Sequence, residues 1–263
     1  MPDEASPFGS KPRKTLIIGH QGRMGQMLFQ EAQKHGLLVV GIDQPLEKVD
    51  LATVISGVEL ALFCVPALVL EEVLAKICPS LPKTCIVADI TSVKVGPLRL
   101  MESYFKYNVV GTHPLFGPKF DLNDPLKVAI TPGSKTELSA INCTEGFFTS
   151  LGFTVFRCEA KQHDLAMAGL QNLNFISNLA YFALLAEQEE LLPFITPSFK
   201  RRLEAAKKML TEDAEMFTGL FEVNPYSHEL VRKYSKILNL AAAGDIELLS
   251  KKAKWWWDDS RVD

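Results

Sequence analysis

Between Lys14 and Gly25 the chain reads as a short β-branched run, a glycine turn and the opening of a helix, and few folds accommodate that order. Lys14-Thr-Leu-Ile-Ile-Gly19 is a strand pattern that breaks at glycine, and Gly19-His-Gln-Gly22-Arg-Met-Gly25 leads into the helical spacing of Met27, Leu28 and Ala32. Such a turn gathers backbone N–H groups and the positive end of a helix dipole on one point, which suits a pyrophosphate. Leu37-Leu-Val-Val-Gly-Ile-Asp43 reads as the second strand and ends in an acid roughly 20 residues after the glycines. A carboxylate there can accept both ribose hydroxyls and would repel a 2′-phosphate. The expectation is a dinucleotide site on Gly19, His20, Gln21, Gly22, Arg23, Met24, Gly25 and Asp43, with NAD preferred to NADP. One position departs from G-x-G-x-x-G. Anchoring the pattern on Gly22 and Gly25 puts His20 where its first glycine should stand, so the turn must tolerate a β-carbon there or Gly19 must take over that role.

Further strand and helix patterns alternate through about residue 160. Leu60-Ala-Leu-Phe-Cys-Val-Pro66 is a buried strand whose end, Cys64, Val65 and Pro66, falls beside the expected cofactor, and Val69 to Ile77 follows as a helix. Thr84 to Asp89, Asn108 to Thr112, Lys127 to Thr131 and Phe153 to Arg157 supply more strands, with a helix across Glu137 to Leu151. This order indicates an α/β architecture, a Rossmann-like, mostly parallel, doubly wound sheet. From Gln162 onward the reading is helical: His163 to Leu192, Pro197 to Phe217, Pro225 to Ala243, and Ile246 to about Trp257. The expected organisation is a flexible tail over residues 1–13, a dinucleotide-binding domain over 14–160 and an all-helical substrate and dimerisation domain over 161–263. So short a helical domain has little core of its own, so it is expected to pack against the sheet domain and a second copy, giving a homodimer.

The chemistry is expected where strands end. Gly111-Thr-His113-Pro-Leu-Phe-Gly-Pro118 fixes a histidine with a proline at a strand's carboxyl edge, and imidazole can take and return a proton near neutrality. His113 is therefore the general-base candidate. The preceding strand ends in Thr91-Ser92-Val93-Lys94, and a hydroxyl and an ammonium near a histidine suit a substrate with an alcohol to deprotonate and a negative charge to hold. Ser92 and Lys94 join His113 as catalytic candidates, and Thr112 is a substrate contact. His163, followed by Asp164, reads as a helix start. No histidine has metal-ligand spacing to another His or Cys, so no metal is expected.

Composition narrows the alternatives. A formal charge of −3 without a basic run argues against nucleic acid. Five widely spaced cysteines, mostly in apolar runs, suit core positions in a reducing, cytoplasmic compartment. Ala166 to Leu185 nears membrane-spanning length, but Gln171, Asn172, Asn174, Ser177 and Asn178 interrupt it, so no membrane is expected.

Four motifs in this order resemble the prephenate and arogenate dehydrogenases of tyrosine biosynthesis: Gly19-His-Gln-Gly-Arg-Met-Gly25, Asp89-Ile-Thr-Ser-Val-Lys94, Gly111 to Pro118 and His163-Asp-Leu-Ala-Met-Ala168. The resemblance spans roughly residues 14 to 258. It implies an NAD(P)-dependent oxidative decarboxylation of a cyclohexadienol, prephenate to 4-hydroxyphenylpyruvate, and a dimer built through the helical domain. Arogenate and amino-deoxyprephenate are competing substrates. A hydroxy- or imino-acid dehydrogenase and a non-catalytic cofactor-sensing module are the competing roles. The family's substrate half is matched less closely. A histidine expected shortly after Gln171 is replaced by Asn174 and Phe175, and the family's carboxylate-clamping arginine falls at Lys208, with Arg201 and Arg202 as substitutes. Gln171, Lys208, Arg201 and Arg202 are the expected substrate contacts of that half.

Overall fold

A computed structural model describes residues 8–121 and 123–258, which divide into one unit ending at Leu165 and another beginning at Ala166. The first unit is a seven-stranded sheet in the order β2-β1-β3-β4-β5-β6-β7. Its strands are β1 (Thr15–Ile18), β2 (Val39–Ile42), β3 (Leu60–Phe63), β4 (Ile86–Asp89), β5 (Asn108–Pro114), β6 (Lys127–Pro132) and β7 (Thr154–Arg157). All neighbours are parallel except β5 and β6. β1, β3 and β4 are buried at every residue, as apolar strands must be when helices cover both sheet faces.

Alternate side chains separate into two cores. Ile17, Leu62, Ala88 and Val110 pack with Met27 and Leu28 of α1 (Arg23–Lys34) and, further along the chain, with Phe147 and Phe148 of a helix at Leu138–Ser150. Leu16, Ile18, Phe63 and Val87 pack with α2 (Leu51–Ile55), α3 (Leu70–Ile77) and α4 (Val95–Tyr104). The Leu138–Ser150 helix is α5. Each fully buried leucine or phenylalanine contributes about 1.5–3 kcal/mol. The chain leaves β1 toward β2 but leaves β3 toward β4, so the carboxyl ends of β1 and β3 flank a topological switch point. At the other end of the parallel run, β4 stops at Asp89 opposite Gly111, whereas β5 continues through Thr112, His113 and Pro114, paired only with β6.

Residues 8–13 pack against the fold, where a flexible tail over residues 1–13 was expected. Phe8 is buried in the first core, and Ser10 lies so close over α5 that a β-carbon on Gly146 would come 1.7 Å from its carbonyl oxygen. Arg13 pairs with Glu59, its backbone N–H donating at 2.7 Å. Residues 1–7 lie outside the described residues.

The second unit is helical throughout its described residues. α6 (Ala160–Met167), whose residues through Leu165 belong to the first unit, runs on through a π-helical turn at Ala168–Asn172 into α7 (Leu173–Leu184). α8 (Pro197–Thr211) follows, capped by the Thr196 hydroxyl accepting from the Phe199 amide. α9 (Ala214–Val223), α10 (Ser227–Ala242) and α11 (Ile246–Ala253) complete it. The two longest sequence readings are thus divided. The run to Leu192 ends at Leu184, before Glu187 takes a left-handed conformation. The run to Phe217 breaks at Glu212 and Asp213, whose amides both turn back to the Lys208 carbonyl. Few of the unit's described apolar side chains are buried, namely Met167, Ala168, Phe175 and Ala206, while Leu184, Phe194 and Trp257 are largely exposed.

Candidate functional site

The register of β1 with β2 and β3 brings three segments to the switch point: the glycine turn, Asp43 and Cys64 to Pro66. Gly19 adopts a φ of +85°, and its carbonyl accepts from the Gly22 amide. A β-carbon on Gly19 would lie 2.6 Å from the Cys64 carbonyl oxygen, and one on Gly25 would lie 2.1 Å from that of Gly19. Only glycine closes this turn, so Gly19 takes over the role that the motif's first glycine normally plays. The His20 side chain occupies room made by Gly41, where a β-carbon would approach its ring to 2.4 Å, and rests 5.4 Å from the Phe29 ring. α1 begins at Gly22 without a side-chain cap, so its amino-terminal end is available to an anion. Gln21 and Arg23 are exposed, and Met24 is half-buried. Asp43 braces the turn by accepting from the Gln21 amide at 2.9 Å and the Gln44 amide at 2.8 Å. A carboxylate has lone pairs left over for hydroxyls after two such bonds.

Two of the expected ligand contacts are instead internal. Lys94 is fully buried, and its ammonium donates to both Asp89 oxygens, at 2.7 and 2.6 Å, and to the Thr112 carbonyl at 2.6 Å. An ammonium has three protons, and all three are used here. The Thr112 hydroxyl donates to the Asp89 carbonyl at 2.5 Å, and Thr91 bonds the same carboxylate. Lys94 and Thr112 therefore tie β4 to β5, with all three Lys94 protons and the Thr112 hydroxyl proton committed inside the sheet and both side chains fully buried. Burial pulls the Lys94 ammonium below its ordinary range, and Asp89 opposes that pull. Ser92, in the same β4–α4 loop, is half-exposed, and its hydroxyl makes no hydrogen bond within the described residues.

His113 sits on β5 beyond the end of β4, almost wholly buried. Its Nδ1 lies 2.9 Å from Nε2 of His163, whose Nδ1 lies 2.8 Å from Oδ1 of Asp164. Asp164 also accepts from the amides of Lys94 at 2.7 Å and Val95 at 2.8 Å, at the start of α4. No described residue hydrogen-bonds Nε2 of His113. Burial, followed by the neighbouring His163 and Lys94, holds the His113 imidazole well below its ordinary pKa of 6.5. His163 and Asp164 are the residues that sequence reading missed. They stand fifty positions from His113, no periodicity connects them to it, and the pair reads locally as a helix start.

The substrate candidates of the helical unit are dispersed in their contacts. Gln171 lies in the π-helical turn, a rare backbone form often found at functional positions. Lys208 reaches Asp213 at 3.7 Å, and the Arg202 guanidinium stacks 3.6 Å over the Tyr181 ring. Arg201 is exposed and makes no ion pair within the described residues. Phe175, standing near the histidine expected from the resemblance, stacks on Phe217 at 5.5 Å. Among the described residues no cluster of His, Cys, Asp or Glu could hold a metal, and no helix is long and apolar enough to cross a membrane. Burial pushes the Cys78, Cys85 and Cys143 thiols up to about 12, as suits core residues.

Residues 26–156 match the sequence model of the prephenate dehydrogenase nucleotide-binding domain. The chain is 25% identical to the T-protein of Enterobacter agglomerans, over 95% of itself and 69% of that protein. It is 23% identical to a probable arogenate/prephenate dehydrogenase of Methanocaldococcus jannaschii, over 93% and 61%. It thus spans about two thirds of the length of these relatives. Among solved structures, the prephenate dehydrogenase of Aquifex aeolicus, in complex with hydroxyphenyl propionate and NAD+, superposes with a TM-score of 0.76 at 20% identity, covering 95% of this chain and 98% of that one. Synechocystis arogenate dehydrogenase gives 0.75 at 18% identity, covering 95% and 100%.

Proposed function

Since the chain belongs to the prephenate dehydrogenase family, with a nucleotide-binding domain of Rossmann type, we propose that it catalyses the NAD-dependent oxidative decarboxylation of prephenate to 4-hydroxyphenylpyruvate. The observation that carries this reading is that His113 lies at the same carboxyl edge of the sheet as the glycine turn, with its Nε2 bonded by no described residue. Gly19 to Gly25 would hold the pyrophosphate and Asp43 the adenosine ribose, favouring NAD over NADP, with Cys64 to Pro66 beside them. NAD, when bound, supplies the electron acceptor. His113 takes the proton of the ring hydroxyl on Nε2, and loss of CO2 then leaves an aromatic ring, which makes the step effectively irreversible. A base so placed contributes about 10²–10⁴-fold in rate. The half-exposed Ser92 hydroxyl is suited to orient the substrate hydroxyl. Arg201, which makes no ion pair among the described residues, is the stronger candidate for a substrate carboxylate, ahead of Lys208 and Arg202, and a guanidinium fork grips a carboxylate bidentately. The exposed Leu184, Phe194 and Trp257 support a homodimer formed through the helical unit.

Purified chain incubated with NAD+ and prephenate is expected to raise the absorbance of reduced cofactor and release 4-hydroxyphenylpyruvate. Turnover of arogenate alone would move the substrate assignment. NAD+ binding with no turnover of prephenate, arogenate or amino-deoxyprephenate would replace the enzyme reading with a cofactor-sensing one.

A further inference from the structure

The hydrogen bonds around His113 determine where its proton sits. Both Asp164 oxygens accept from amides at the start of α4, so toward His163 this carboxylate is an acceptor and the proton between them belongs to His163 Nδ1. A neutral imidazole protonated on Nδ1 carries its lone pair on Nε2. His163 Nε2 therefore accepts, and the donor 2.9 Å away is Nδ1–H of His113. His113 in turn keeps its lone pair on Nε2, the nitrogen that no described residue binds. The rings meet edge to face, with centroids 5.1 Å apart, and all three side chains are at most 3% exposed, so no water competes for these bonds.

We propose that His163 and Asp164 are positioning residues: they lock His113 in the tautomer whose Nε2 is the base, and they spread the charge of the imidazolium it becomes toward a carboxylate. The inference rests on the dehydrogenase reading above. The substrate O–H bond breaks, the Nε2–H bond forms, and the electron pair of the adjacent C–H bond leaves as hydride for NAD. The new positive charge would otherwise lie buried beside Lys94 with no counter-charge of its own, since Asp89 is already committed to that lysine. Asp164 supplies the counter-charge through one intervening imidazole. A carboxylate on a catalytic histidine does the same work directly in serine proteases, where replacing it by an amide costs about 10⁴-fold.

The test compares His163→Leu with His163→Gln. Glutamine can accept from His113 Nδ1–H through its carbonyl and donate to Asp164 through its amide, whereas leucine can do neither. His163→Leu is expected to lower kcat on the order of 10²–10⁴-fold, with KM for prephenate and Kd for NAD+ changed by less than about threefold, and His163→Gln to recover activity to within about tenfold of the parent. Nitrogen-15 NMR of histidine-labelled parent chain, assigned with His113→Asn, is expected to show His113 protonated on Nδ1 and bare on Nε2. Equal losses in both His163 variants, or an Nε2–H tautomer for His113, would overturn the proposal. Undiminished turnover in His163→Leu would overturn it while leaving the dehydrogenase reading intact. Should the parent turn over nothing, the NMR result decides the tautomer by itself.

Discussion

Two charged assemblies meet at the backbone of Lys94 and differ in how they end. Around the Lys94 side chain every donor faces an acceptor: Asp89 takes two bonds and the Thr112 carbonyl the third. Around His113 the bonds run from the α4 amides through Asp164 and His163 and stop at a nitrogen that no described residue bonds. Both lie at the carboxyl edge of β4 and β5, and both are buried. A closed network can only fix the strands that carry it, while an open one can act on a molecule from outside. Buried charge therefore points to chemistry only where bonding capacity is left over.

The sharpest way to break this contrast is His113→Asn. Turnover of prephenate should fall about 10²–10⁴-fold while NAD+ affinity measured by calorimetry stays near the parent value. Equal loss of both would place His113 among the structural groups. Lys94→Met should do the reverse. It leaves the Asp89 carboxylate buried without its cation, which costs about 3–5 kcal/mol, or a fall in Tm on the order of 10 °C. Turnover by the fraction still folded should change by less than a few-fold. A normal Tm with abolished turnover would make Lys94 a participant in the reaction and erase the distinction.

How legible this was in the sequence follows from the range of each signal. The parallel sheet, the glycine turn and Asp43 were readable because strand periodicity, φ > 0 at glycine and a fixed strand-turn-helix length are local properties. The place of His113 at a strand end was readable because proline follows it. The partners of Lys94 and His163 were not readable for one reason: the sequence shows which groups can bond, but not which of them have already found partners. Lys94 is closed by Asp89, five positions away, and by Thr112, and His163 is recruited across fifty positions. The packing of Phe8 and Ser10 against α5 was hidden in the same way, since Gly146 looks like an ordinary helical glycine until Ser10 is seen above it. The breaks after Leu184 and Thr211 were missed because apolar periodicity runs through both.

The open assembly also sets a pH dependence on the acid side of neutrality. The native pKa of His113 lies well below its ordinary 6.5, so the neutral, reactive form persists through pH 6.5, and kcat/KM should decline only at lower pH. Stability shifts in the same direction. Between 6.5 and the lower native value, the unfolded chain binds a proton that the native imidazole refuses, so stability is lost as pH falls through that window, by up to about 1.4 kcal/mol per pH unit. His113→Asn should flatten this part of a Tm-against-pH curve. An acid limb at or above pH 6.5 in kcat/KM, together with an unchanged Tm curve in the variant, would mean that another group governs the proton.

The mildest test asks whether Asp43 belongs with the closed assembly or the open one, since its carboxylate both braces the turn and retains capacity for a ligand. Asp43→Ser removes the charge that would repel a 2′-phosphate and weakens the bond to the Gln21 amide. If the ribose sits there, the ratio of NAD to NADP in kcat/KM should fall about tenfold, the effect of one or two hydrogen bonds, with a few-fold loss in NAD+ affinity from the loosened turn. A fall in affinity for both cofactors by the same factor would show that Asp43 only supports the turn, as Asp89 only supports β4 and β5, and would remove the basis for preferring NAD.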